Sequence, residues 1–120
     1  MSGNTAIYLY SSVPHATGQD SWQRKVKTWL EAKKVRYQSI DASLAENKDV
    51  RNELYDVSGK RGGLPQVFIV DSEAGSTKYA GDYEGINSLI ESDSIPADIL
   101  EKNPQIPTFT KMFASCMEDQ

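Results

Sequence analysis

The sequence predicts an α/β domain: one mixed four-stranded sheet, in the order β-α-β-α-β-β-α, flanked by helices. Three observations carry the prediction. Short runs rich in β-branched and aromatic residues alternate with amphipathic segments as far as Val70. A strand–helix–strand unit within one sheet closes as a right-handed parallel crossover. The last two strands are separated only by the polar turn Asp71 to Gly75, so they pair as an antiparallel hairpin.

Thr5-Ala6-Ile7-Tyr8-Leu9-Tyr10 reads as the first strand, and Ser11-Ser12-Val13-Pro14 ends it. A polar loop over 11–19 follows. Asp20-Ser21-Trp22-Gln23 has the form of a capping box, with Asp20 accepting a first-turn amide and Gln23 reaching back. Trp22, Val26, Trp29 and Leu30 recur at i, i+4, i+7 and i+8, an apolar stripe that places Trp29 in the core; the helix should fray near Lys34. Val35 to Ile40 alternates as a half-buried strand does.

Asp41 to Glu46 turns into a second helix bearing Val50, Leu54 and Val57, and Ser58-Gly59 stops it. Gln66 to Val70 is almost wholly apolar, the mark of a central strand, and Ser76 to Ala80 is its polar edge partner. Gly81-Asp82 opens a third helix, with Ile86, Leu89 and Ile90 on its buried side. Ser94-Ile95-Pro96 starts a short helix through Leu100, with Pro96 at its first position. The domain is expected over residues 1–101, and residues 102–120 read as a flexible C-terminal tail.

Composition narrows the function classes. The 120 residues suffice for one small domain with a modest core. Lys and Arg number 13 against 17 Asp and Glu, a net charge of −4. That argues against nucleic acid as a partner, since sequence-independent binding needs a cationic footprint. No apolar run reaches bilayer-spanning length, so no membrane role is expected. Met1-Ser2-Gly3-Asn4 leads into the first strand without an apolar leader, and a cytoplasmic location is expected. The single cysteine, Cys116, leaves no intrachain disulfide or cysteine-based metal cluster and fits a reducing compartment.

The layout, with Pro65 at the mouth of the third strand, resembles a thioredoxin/glutaredoxin-like fold. More closely it resembles the SH3-domain-binding glutamic-acid-rich-like family, a branch of that superfamily lacking Cys-x-x-Cys. The segments that carry the likeness are Ile7-Tyr8-Leu9-Tyr10-Ser11-Ser12, Trp29-Leu30-Glu31-Ala32-Lys33-Lys34-Val35, Ile40-Asp41-Ala42, Leu64-Pro65-Gln66-Val67-Phe68 and Gly81-Asp82-Tyr83-Glu84. They span roughly residues 4 to 92. Leu-Pro-Gln together with Gly-Asp-Tyr is the more specific pair. The acidic low-complexity run of some family members is not present, so acidic-tail functions do not transfer.

The resemblance implies a groove without its thiol. Glutaredoxins hold a nucleophilic cysteine at the start of the first helix, where the helix dipole lowers its pKa. Counting back from Trp29-Leu30, Asp20 and Gln23 stand at the two cysteine positions, so no catalytic residue is expected. Pro65 matches the cis-proline of the fold; a cis bond there presents the Leu64 backbone to an extended ligand. Gly81-Asp82 matches the helix start where glutaredoxins hold the γ-glutamyl end of glutathione, while a simple helix N-cap explains Asp82 as well. Lys60 and Arg61 are candidate carboxylate ligands or solvated loop charges.

Other residues carry less. A lone His15 in the 11–19 loop is a poor metal ligand, so no metal is expected. Cys116 reads as an incidental tail thiol open to intermolecular disulfides. Pro104-Gln105-Ile106-Pro107 is a PxxP, the pattern that SH3-type grooves recognise as polyproline II.

Two functions are weighed. One is a non-catalytic interaction module that takes a protein or peptide on the groove of Trp22, Leu64, Pro65, Gly81, Asp82 and Tyr83, with no cofactor. The other is a residual glutathione-binding redox regulator related to glutaredoxins, with weak affinity because no thiol reaction follows binding.

Overall fold

A computed structural model describes residues 3–13 and 17–118; His15 lies outside the described residues. Strands β1 (Thr5–Tyr10), β2 (Tyr37–Asp41), β3 (Gln66–Asp71) and β4 (Ser76–Asp82) form one sheet in the order β2-β1-β3-β4. β1 runs parallel to β2 and antiparallel to β3, and β3 pairs with β4 as a hairpin. Helices α1 (Gln19–Ala32), α2 (Lys48–Ser58), α3 (Tyr83–Asp93), α4 (Ala97–Lys102) and α5 (Phe109–Phe113) complete the chain, with a 3-10 turn at Ala45–Asn47 and another at Ala114–Cys116.

The period-2 alternation of the strands divides the core between the two faces of the sheet. Ala6 and Tyr8 of β1, with Val67 and Ile69 of β3, pack against Val26 and Leu30 of α1, Ile86 and Leu89 of α3, and Phe109 and Phe113 of α5. Leu9, Ile40 and Phe68 point the other way, onto Leu54 of α2 with Ala42 and Leu64. β3 is one of the two inner strands and has both faces covered, which is why Val67 and Phe68 are fully buried.

Four expectations are corrected. The half-buried strand begins at Tyr37, not Val35: the Val35 N–H turns back to the Leu30 carbonyl at 2.9 Å, and Val35 bridges antiparallel to Met117. There is no capping box at α1. Gly18, at φ 87°, is the N-cap and contributes no side-chain bond; Asp20 lies inside the first turn and pairs with Arg24 instead. Trp29 is half-buried at the margin of the larger cluster and is not a core residue; its ring stacks on Tyr83 at 5.9 Å.

The fourth correction is the largest. The segment after Lys102 is not a free tail. Thr108 caps α5 by accepting from the Lys111 N–H at 3.1 Å. Phe109 and Phe113 stack at 4.5 Å and are fully buried with Cys116 in the main core. Arg36 fastens the end of the segment: its guanidinium donates to the carbonyls of Met117 at 3.0 Å and Ser115 at 3.1 Å, and its backbone N–H to that of Cys116 at 2.8 Å. The Cys116 thiol is therefore enclosed, not open to intermolecular pairing, and burial raises its pKa.

Candidate binding groove

The register of the sheet brings the singled-out segments to one edge. Leu9 pairs with Gln66, and Gln66 with Asp82, so the end of β1, the start of β3 and the end of β4 line up. In the β3–β4 ladder Val67 opposes Gly81 and Phe68 opposes Tyr79, which leaves Ala80 as an extra residue; this bulge aims Gly81-Asp82 at the edge. The Leu64–Pro65 bond is cis. Pro65 is buried, and no hydrogen bond among the described residues uses the Leu64 N–H or carbonyl.

Trp22 forms the opposite wall. It is 36% exposed and stacks on Tyr83 at 5.6 Å, so Tyr83 lies between Trp22 and Trp29. Gly18 underlies it: a Cβ there would lie 3.2 Å from two indole carbons. Two cavities meet at this wall. The larger, about 560 Å³, is bounded by Ser11, Val13, Trp22, Arg51, Tyr55 and Leu64 among others. The smaller, about 360 Å³, is lined by Trp22, Gly63, Leu64, Asp82, Tyr83 and Glu84. Trp22, Gly63 and Leu64 belong to both, so the pair reads as one trough with a saddle at Leu64.

Four of the six expected groove residues, Trp22, Leu64, Asp82 and Tyr83, thus line the trough, while Pro65 is buried beside Leu64 and lines neither cavity. Gly81 is buried behind it, with a Cβ position 3.5 Å from the backbone of Gly85 and Ile86 at φ 153°. Asp82 is the helix N-cap: one carboxylate oxygen accepts from the Gly85 N–H at 3.0 Å. The other accepts from Lys60 at 2.6 Å. Burial opposes its charge, but Lys60 and the Gly85 amide outweigh that and hold the carboxyl below its usual range, while the same bond raises Lys60. Arg61 does not join the groove; it pairs with Asp56 at 2.8 Å.

The helix-start positions do different work. Gln23 is buried and grips the strand end: the Ser11 N–H donates to its Oε1 at 2.8 Å and its Nε2 donates to the Ser11 carbonyl at 3.0 Å. Asp41 holds the next residues, accepting from the N–H groups of Ser12 and Ser43 and from the Ser43 hydroxyl at 2.6 Å. Burial works against that carboxylate, but these bonds prevail and place its pKa at about 2. Gln66, fully buried, donates to the Lys60 carbonyl at 3.1 Å and to the Gly62 carbonyl, tying down the loop that floors both cavities. Its Oε1 has no partner among the described residues.

Sequence reasoning missed Gln23, Asp41 and Gln66 as positioning residues, and Arg51 and Tyr55 as cavity wall. The i, i+4 spacing of Arg51 and Tyr55, with the guanidinium 6.0 Å from the ring, is a signal that could have found the last two. The PxxP is exposed at Pro104 and Pro107, but the chain turns there, and Lys111 occupies the carbonyls of Pro104 at 3.1 Å and Ile106 at 2.9 Å. Among the described residues, no group of three His, Cys, Asp or Glu is placed to hold a metal, and no helix is long and apolar enough to cross a membrane.

Comparison with known proteins agrees with the architecture. The glutaredoxin family model matches residues 23–73. No curated protein matches the chain. A buckwheat glutaredoxin–glutathione complex superposes with a TM-score of 0.52 at 19% identity, over 88% of this chain and 84% of that one. A mutated buckwheat glutaredoxin gives 0.53 at 19%, over 84% and 80%. Reduced glutaredoxin C1 from Populus tremula x tremuloides gives 0.53 at 15%, over 75% and 67%. The mixed sheet and its flanking helices give this chain the thioredoxin/glutaredoxin-like fold of these structures, and the glutaredoxin family model matches its central segment.

Proposed function

We propose that the domain is a non-catalytic binding module that takes an extended polypeptide in the trough beside Pro65, in the manner its resemblance to the SH3-domain-binding glutamic-acid-rich-like proteins implies. The observation that carries this reading is the separation of the groove from the only thiol. Cys116 is buried against the start of β1, where Asn4 donates to Ser115 at 3.0 Å, while the trough lies beyond the end of β1 at Ser11. A six-residue strand lies between them, about 20 Å. At the helix-start positions that match the two cysteines of glutaredoxins stand an ion-paired Asp20 and a buried Gln23 that holds the Ser11 backbone. Thiol–disulfide exchange needs a thiolate that meets its target, and this arrangement supplies none. The unpaired Leu64 backbone and the exposed Trp22 favour an added strand with an apolar side chain.

The competing reading, a glutathione-binding redox regulator, draws on the glutathione-bound buckwheat neighbour. Against it, each oxygen of Asp82 already accepts a bond, from Lys60 and from the Gly85 N–H, so an incoming ammonium competes with Lys60 for the carboxylate. Selection of a random peptide display library on the full chain tests the proposal. Enriched peptides should lose binding on Trp22→Ala and Tyr83→Ala while the domain stays folded. No enrichment, or binding indifferent to both changes, contradicts it.

A further inference from the structure

The two ends of the trough differ in charge, and the difference is set by which ionic groups the fold has already neutralised. At the smaller cavity the acids are Asp82 and Glu84. Asp82 is satisfied by Lys60 and by the Gly85 amide. Glu84 is exposed and makes no ion pair among the described residues. Lys25 lies nearby, 6.0 Å over the Tyr83 ring, outside the cavity wall. At the larger cavity Arg51 is the only ionic wall residue among the described residues. It is half-buried, and its described contacts are neutral: the Asn52 side chain at 3.3 Å, the Ala42 carbonyl at 3.5 Å and the Tyr55 ring. Between the ends the wall is apolar, at Trp22 and Leu64, and exposed Val13 extends it.

We propose that the trough takes an extended peptide segment of fixed charge order: a Lys or Arg side chain beside Glu84, an apolar residue over Trp22 and Leu64, and an Asp or Glu beside Arg51. This deepens the binding-module reading and rests on it. The reason is complementarity. An apolar side chain gains from covering Trp22 and Leu64. Charges on the segment then meet two wall charges that no ion pair among the described residues neutralises, although Lys60 lies within Coulombic reach of Glu84, and the reversed order places like charges together at both ends.

Two blocked heptapeptides test it, each acetylated and amidated, with a central leucine flanked by threonines. One carries lysine on the amino side and glutamate on the carboxyl side; the other exchanges the two charges. Calorimetry with the full chain should show one peptide binding about three- to tenfold more tightly than the other. The double variant Arg51→Glu/Glu84→Lys should invert that preference, and its circular dichroism is compared with that of the unaltered chain to verify the fold, because Arg51 is half-buried. Equal binding of the two peptides, lost on Trp22→Ala, would overturn the charge order and leave the groove standing. Absence of binding by both peptides and by a neutral glutamine version overturns the groove reading and this inference with it. Preference that survives unchanged in a folded double variant overturns the charge order alone.

Discussion

Trp22, Tyr83 and Trp29 show how a single residue can serve both core and surface. Tyr83 is held between two indoles whose own burial differs, Trp22 open to solvent and Trp29 half-covered. Complete burial of Trp29 would make its truncation cost about 3–5 kcal/mol. At the observed half-burial, Trp29→Ala should cost about 2–3 kcal/mol, and chemical denaturation of Trp29→Ala, Tyr83→Ala and the double variant should show a coupling near 1 kcal/mol. Additive costs would mean that the stack contributes only by area. Gly18→Ala offers a second test. Its backbone is left-handed and its Cβ would press on the indole, so the change should cost about 1 kcal/mol and move Trp22, visible as a shift in tryptophan fluorescence. An unshifted spectrum would show that the ring is not seated on Gly18. Asp41 gives a pH signature. Its folded pKa of about 2 lies below the unfolded carboxylate value of about 3.9, so its contribution is present above that value and is lost as pH falls toward 2. The contribution is about 2 kcal/mol, and Asp41→Asn should flatten the acid limb of stability against pH between about 4 and 2.

At the scale of elements, the strands and the first three helices were legible because their signals are local. Val67-Phe68-Ile69 is continuous and apolar, as a strand covered on both faces requires, and Gly81-Asp82 carries both a bulge glycine and an N-cap. What was not legible depends on distant partners. α5 has only five residues, and its Phe109 and Phe113 acquire meaning only against Ile86, Leu89 and the sheet. Pro104 and Pro107 obscured it, although Thr108 three residues before Lys111 is a cap that could have been read. The groove was legible where backbone geometry is written in single residues, at Leu64-Pro65 and Gly81-Asp82. It was illegible where a polar side chain reaches across the fold, as Gln23 does to Ser11. Removal of residues 103–120 therefore tests the last element. Loss of two fully buried phenylalanines should cost at least about 6 kcal/mol, enough to unfold a domain of this size. A truncated chain that keeps its cooperative thermal transition would show that α5 is dispensable. Asp93 joins α5 to the rest, accepting from Thr110 and Lys33; burial disfavours its charge, but those bonds win and lower its pKa, so this clamp too weakens as pH falls.

At the scale of the molecule, the fold places the trough and the thiol at opposite ends of β1. The edge where β1, β3 and β4 end carries a trough with an open backbone segment and an aromatic wall. The far end of the sheet encloses the only thiol beneath Arg36 and the C-terminal segment. The role proposed for the domain is binding without thiol chemistry. The most direct measurement is glutathione-coupled disulfide reduction by the full chain and by Cys116→Ser, both verified as folded. Neither is expected to exceed the uncatalysed rate. Turnover that persists in folded Cys116→Ser would contradict it, because a group in the trough would then be doing the work that a thiolate does elsewhere.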